Sequence, residues 1–184
     1  MRAVVARDGA VAVESVPEPV PGTGHVLAVP LACGICGSDV HTLHVQAGNP
    51  EAIPPMVLGH EFCAEIVDHG PGTDRRLPIG TKVCSVPFLD SQAGPQLIGL
   101  SPLYPGGLAE QVLLQEHRLV AVPDHVPPEH AAVTEPLAAS IRPHCPGRRG
   151  RPAHSRTPPV HARRGRARTL LRRRHSSDCV GHRT

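Results

Sequence analysis

A break in composition at residue 141 constrains this 184-residue chain more than any other feature. Residues 1–141 carry six Lys or Arg against fifteen Asp or Glu, a net charge of −9, whereas residues 142–184 carry thirteen Arg against the single acid Asp178, a net charge of +12. The two stretches are therefore read separately. The basic stretch mixes Arg, Pro, His and Gly with very little Ile, Val or Leu and shows no period of 2 or 3.6. It cannot bury enough apolar surface to offset chain entropy, and it is predicted to be disordered. Residues 1–141 are left as one domain, of ordinary single-core size. With no Trp, one Tyr and two Phe in the whole chain, that core must rest on Val, Leu, Ile and Ala.

Short strand-like runs recur through the first 122 residues. Residues 3–5 and 11–13 are short β-type runs around Asp8-Gly9, a hairpin signal because such turns need positive φ. Residues 25–32 form the next run, with Pro30 belonging at an edge or a bulge because it has no N–H to give a ladder. Further runs lie at 62–67, 82–86, 108–114 and 119–122, separated by turn residues. Short strands of this kind predict a mainly β domain, a barrel or a sandwich. Pro127-Pro128-Glu129 starts a helix that continues through 131–141, with Pro in its first turn and an acid near the positive end of its dipole.

No apolar run reaches the roughly 18 residues that would span a bilayer, and the N-terminus lacks a basic segment followed by an apolar one. A cytoplasmic setting is expected, in which six Cys are thiols or metal ligands rather than a disulfide framework.

The chemistry is concentrated in Cys33-Gly34-Ile35-Cys36-Gly37-Ser38-Asp39-Val40-His41 and in Gly59-His60-Glu61. A Cys-x-x-Cys pair suggests a zinc knuckle or a redox site. A knuckle needs a second close pair of ligands, and Cys63 and Cys84 are solitary; a redox pair opens a helix in a βαβ context, which the strand-rich sequence does not supply. A catalytic zinc site instead takes three ligands from separated positions and leaves one place open. Cys36 can supply a thiolate and His60 an imidazole, with Glu61 or Glu135 supplying an oxygen. Such a site polarises a carbonyl and lowers the pKa of a bound hydroxyl, which suits alcohol oxidation and its reverse.

These segments, together with Gly80-Thr81-Lys82-Val83, Gly106-Gly107-Leu108-Ala109-Glu110 and Thr134-Glu135-Pro136-Leu137, occur in the order found in zinc-dependent medium-chain alcohol and polyol dehydrogenases, which residues 1–141 resemble. The resemblance implies a GroES-like, partly open β-barrel with short helices. It implies that Cys36 and His60 are zinc ligands, that Glu61 sits on or beside the metal and that Glu135 approaches it directly or through water. It further implies that Ser38 takes the substrate proton, that His41 continues a relay to solvent and that Asp39 orients the histidine ligand. Zinc, NAD or NADP, and a secondary alcohol or polyol are the implied cofactors and substrate. Without the motif, Ser38 and His41 would read as turn or solvated residues. Cys33 is expected to pack as a small apolar residue, and Cys63 and Cys84 to be buried in strands. Cys145 and Cys179 have no partner pattern, and His44, His69, His117, His125 and His130 read as surface or loop residues.

Two departures from the family pattern stand out. Residues 85–105 lack the four close Cys of a structural zinc lobe, so one catalytic ion and no structural one is expected. No Gly-x-Gly-x-x-Gly turn follows residue 141, so the Rossmann domain of such enzymes is expected to be missing and the chain to be a truncated form with little or no activity. The onset of the Arg-rich tail resembles a GC-rich gene read out of frame. Two other function classes compete: a non-catalytic zinc-binding GroES-like module, and weak, non-specific nucleic-acid binding through thirteen Arg that have no aromatic neighbour to stack on bases. No specific nucleic-acid or membrane partner is expected, and the sequence leaves the oligomeric state open.

Overall fold

Asp8 and Gly9 both adopt positive φ, 53° and 81°, the conformation a two-residue hairpin loop requires. They join β1 (Arg2–Arg7) to β2 (Ala10–Ser15), with Arg7 paired to Ala10 across the turn. The computed structural model describes residues 1–91 and 94–141; the expected disordered tail from Arg142, with Cys145 and Cys179, lies outside the described residues.

The remaining elements follow as β3 (His25–Cys33), α1 (Gly37–Gly48), β4 (Met56–Val57), β5 (Phe62–His69), β6 (Lys82–Ser85), β7 (Phe88–Leu89), β8 (Gln96–Leu97), β9 (Val112–Gln115), β10 (Leu119–Ala121), α2 (Pro128–Ala131) and α3 (Thr134–Ser140). The strands pair antiparallel in three sheets, ordered β2-β1-β4, β10-β6-β5-β3-β9 and β7-β8. The main core lies on the five-stranded sheet, where Val26, Ala28, Ile66, Val83, Val112 and Leu114 are all fully buried aliphatic residues. The mainly β architecture is thus the one expected, and Pro30 sits where β3 shifts register against β5, at a bulge. No helix among the described residues is long and apolar enough to cross a membrane.

Four local expectations are corrected. Residues 108–111 are not strand: Leu108 N–H donates to Leu58 O, Gly107 N–H to Gly59 O and Gly106 N–H to Val57 O, so this stretch holds the 57–59 segment and regular pairing begins only at Val112. The helix expected to continue to residue 141 is two short ones, α2 and α3. Pro136 explains the break, because within one continuous helix it would clash with the carbonyl four residues back and leave that carbonyl without its N–H; in the first turn of a new helix it does neither. Finally, Ser38, Asp39 and His41 lie in α1, an unforeseen helix that buries Asp39, Thr42 and Gln46 rather than an apolar stripe. His69, expected on the surface or in a loop, closes β5 with both ring nitrogens shielded from solvent.

Candidate metal centre

The site is assembled where β3 ends beside the start of β5. Their register pairs Cys33 with Phe62, and one step further Gly34 N–H donates to Glu61 O at 2.7 Å. Gly34 leaves room for the Glu61 carboxylate: a Cβ at this position would lie 2.6 Å from Glu61 Oε2 and displace it. Gly59 is needed for a different reason, since its φ of +99° turns the chain into His60, and a Cβ there would meet Cys33 Sγ and Leu108 at 2.8 Å.

Cys36 is the residue before the first turn of α1, and Asp39, in that first turn, caps it by accepting the Cys36 N–H at 2.8 Å on Oδ2. The other carboxylate oxygen, Oδ1, faces His60 Nδ1 at 3.6 Å, and both atoms are buried without a hydrogen-bond partner. Ser38 Oγ lies 3.3 Å from His60 Nε2. Each ring nitrogen of His60 therefore faces a residue of the first turn of α1.

Cys36, His60 and Glu61 each bring one ligand atom into a group in which all lie within 4.8 Å of one another, and no other such group of three occurs among the described residues. A sulfur, a nitrogen and an oxygen donor on three separated positions is the donor set that zinc accepts with one coordination place left open. The electrostatics are those of a site built around His60. The Asp39 carboxylate is the main cause, helped by the Cys36 thiol and opposed by burial, of a His60 pKa pushed up to about 9. Burial works against the Asp39 charge, but His60 and the Cys36 N–H outweigh it and hold that carboxyl below its ordinary range.

The expected residues are brought together unequally. Cys36, Ser38, Asp39, His60 and Glu61 converge. His41 is exposed on α1, three residues beyond Ser38. Glu135 stands on α3 outside the donor group, although its neighbours Val133 and Pro136 border a cavity of about 190 Å³ that Glu61 also lines. Cys33 is half-buried, and burial pushes its thiol up to about 12. Cys63 and Cys84 are buried in β5 and β6, as their strand positions led us to expect. Thr42 and Gln46 were not foreseen. Their signal was a polar spacing of 39, 42 and 46, which an apolar-periodicity reading passes over.

A family profile for the alcohol dehydrogenase GroES-like domain matches residues 22–124. The chain is 34% identical over 140 residues to the L-threonine 3-dehydrogenase of Sinorhizobium medicae WSM419, covering 70% of this chain and 40% of that protein. It is 32% identical over 152 residues to the (R,R)-butanediol dehydrogenase of Bacillus subtilis 168, covering 70% and 42%. Among solved structures, one described as a zinc-binding dehydrogenase from Sinorhizobium meliloti 1021, bound to NADP, superposes with a TM-score of 0.62 at 33% identity over 74% of this chain and 42% of that one. The chain thus spans about 40% of the length of the relatives it matches.

Proposed function

Because the chain belongs to the alcohol dehydrogenase GroES-like domain family, we propose that residues 1–141 form the metal-binding, alcohol-orienting part of a zinc-dependent, NAD(P)-linked oxidoreductase acting on a secondary alcohol or polyol. The observation that carries this reading is the convergence of Cys36, His60 and Glu61 within 4.8 Å. Zinc bound there would hold the substrate oxygen and lower its pKa.

The protein's own groups would do the rest. The Asp39 carboxylate orients the His60 ring and compensates its charge, a task commonly given to outer-shell carboxylates. The Ser38 hydroxyl, beside His60, is placed to accept the alcohol proton, and the exposed His41 to pass it to solvent. We assign Glu135 a water-mediated approach rather than a direct bond, because its carboxylate stands outside the donor group. Hydride transfer needs a nicotinamide, NAD or NADP, whose binding we assign to none of residues 1–141. A cytosolic location would keep Cys36 reduced and able to bind metal.

The test is titration of the metal-free full chain with Co²⁺. One equivalent is expected to bind with a thiolate-to-cobalt absorption that is lost in Cys36→Ser and in His60→Ala. Failure to bind, or a band untouched by either substitution, would refute the reading.

A further inference from the structure

The side chains that α1 buries most deeply, Asp39, Thr42 and Gln46, are all polar, the reverse of what a surface helix normally turns toward its domain, with half-buried Leu43 packed beside them on the Ala6, Met56 and Leu58 cluster. Asp39 holds the Cys36 N–H and faces His60, and Thr42 Oγ1 donates to Ser38 O at 3.0 Å. Gln46, fully buried, ends the stripe: its Nε2 lies 3.1 Å from Pro54 O, 3.3 Å from Ile53 O and 3.4 Å from Ala6 O. Burying a primary amide here is costly beside a Met or Leu of similar volume, and its Oε1 has no hydrogen-bond partner among the described residues. The amide adds little as a stabiliser, but it does fix geometry, because its donors satisfy carbonyls on two other segments at once.

Those segments matter to the site. Ala6 belongs to β1, while Ile53 and Pro54 lead into β4 and then to Gly59, His60 and Glu61. The helix carrying Gln46 begins at the residue after Cys36. One side chain therefore ties together the helix that delivers the thiol and the chain segment that delivers the imidazole and the carboxylate, from a position about 15 Å along the helix from the cluster.

We propose that Gln46 is a positioning residue for the metal cluster, a role that rests on the metal-site reading above: it sets the axial position and rotation of α1 against the 53–61 segment. Groups that hydrogen-bond a metal ligand commonly change metal affinity ten- to a hundredfold when lost, and Gln46, which touches no ligand directly, is placed at the lower end of that range. Gln46→Met in the full chain, which keeps the bulk and removes the donors, is expected to weaken Co²⁺ binding about tenfold and to alter the ligand-field spectrum of the folded protein. The control is a core variant of the five-stranded sheet, Ile66→Val, or Ile66→Ala if needed to match the loss of thermal stability; it should bind Co²⁺ as the unsubstituted chain does. Equal affinities and spectra for Gln46→Met and the matched control would overturn the proposal. If Gln46→Met does not fold, the unsubstituted chain serves: metal loading should slow hydrogen exchange of the Gln46 side-chain amide, since coupling between the two places is reciprocal, and unchanged exchange would overturn it. Absence of Co²⁺ binding by the unsubstituted chain would instead refute the metal reading, and this proposal with it.

Discussion

Replacing Asp39 by Asn leaves the shape of the cluster nearly intact and removes one buried charge, so its consequences can be worked out in the metal-free protein. His60 is raised from its ordinary 6.5 to about 9, chiefly by the Asp39 carboxylate. At about 1.4 kcal/mol per pH unit this corresponds to about 3 kcal/mol of stability. A raised folded-state pKa contributes stability that is complete below pH 6.5 and is lost as pH rises through about 9. The unsubstituted protein should therefore lose stability steadily between those two values. In Asp39→Asn the main raising cause is gone, while burial and the smaller opposing effect of Cys36 remain, so His60 should titrate well below 9 and the slope in that window should shrink. The raised thiols destabilise the fold only at the upper edge of the window; Cys63 does so equally in both proteins, whereas Cys33, raised in part by Asp39, does so less in Asp39→Asn. Urea unfolding of metal-free samples at pH 6, 7.5 and 9 measures the slope, and proton NMR titration of the His60 ring measures the pKa. Parallel stability curves for the two proteins, or an unshifted His60 titration, would show that Asp39 does not control this histidine.

Three further outcomes are expected. Alkylation of the metal-free chain near neutral pH should modify the half-buried Cys36 well before Cys33, Cys63 and Cys84, whose thiols are raised by burial to about 12, to about 11 and upward respectively; zinc should protect Cys36, and peptide masses identify each site. Gly34→Ala should preserve the fold but push Glu61 aside, since the new Cβ would lie 2.6 Å from its Oε2; about a tenfold loss of Co²⁺ affinity in an optical titration is the expected size. Ile66→Ala, in the fully buried centre of β5, should cost about 2–5 kcal/mol in urea unfolding.

The sequence by itself determined the features whose physics is local. Asp8-Gly9 could only be a tight turn, because both residues tolerate positive φ between two β-type runs. Pro30 had to sit at an irregularity, because it cannot donate to a ladder. Cys36, His60 and a glutamate could be singled out as candidate donors because zinc chemistry restricts the ligand types. Only the tertiary structure decided what depends on segments meeting. The choice of Glu61 for the donor group, with Glu135 outside it, follows from the alignment of β3 with β5 and from the hold of 106–108 on 57–59, neither of which a local pattern encodes. The helix α1 escaped sequence reasoning for the same reason. Its buried face is Asp39, Thr42 and Gln46, and such a face is recognisable only beside the backbone groups of Cys36, Ser38, Ala6, Ile53 and Pro54 that satisfy it. Apolar periodicity reports burial against an apolar core, whereas a polar face is buried only where distant residues bring the matching donors and acceptors, and that information resides in the fold.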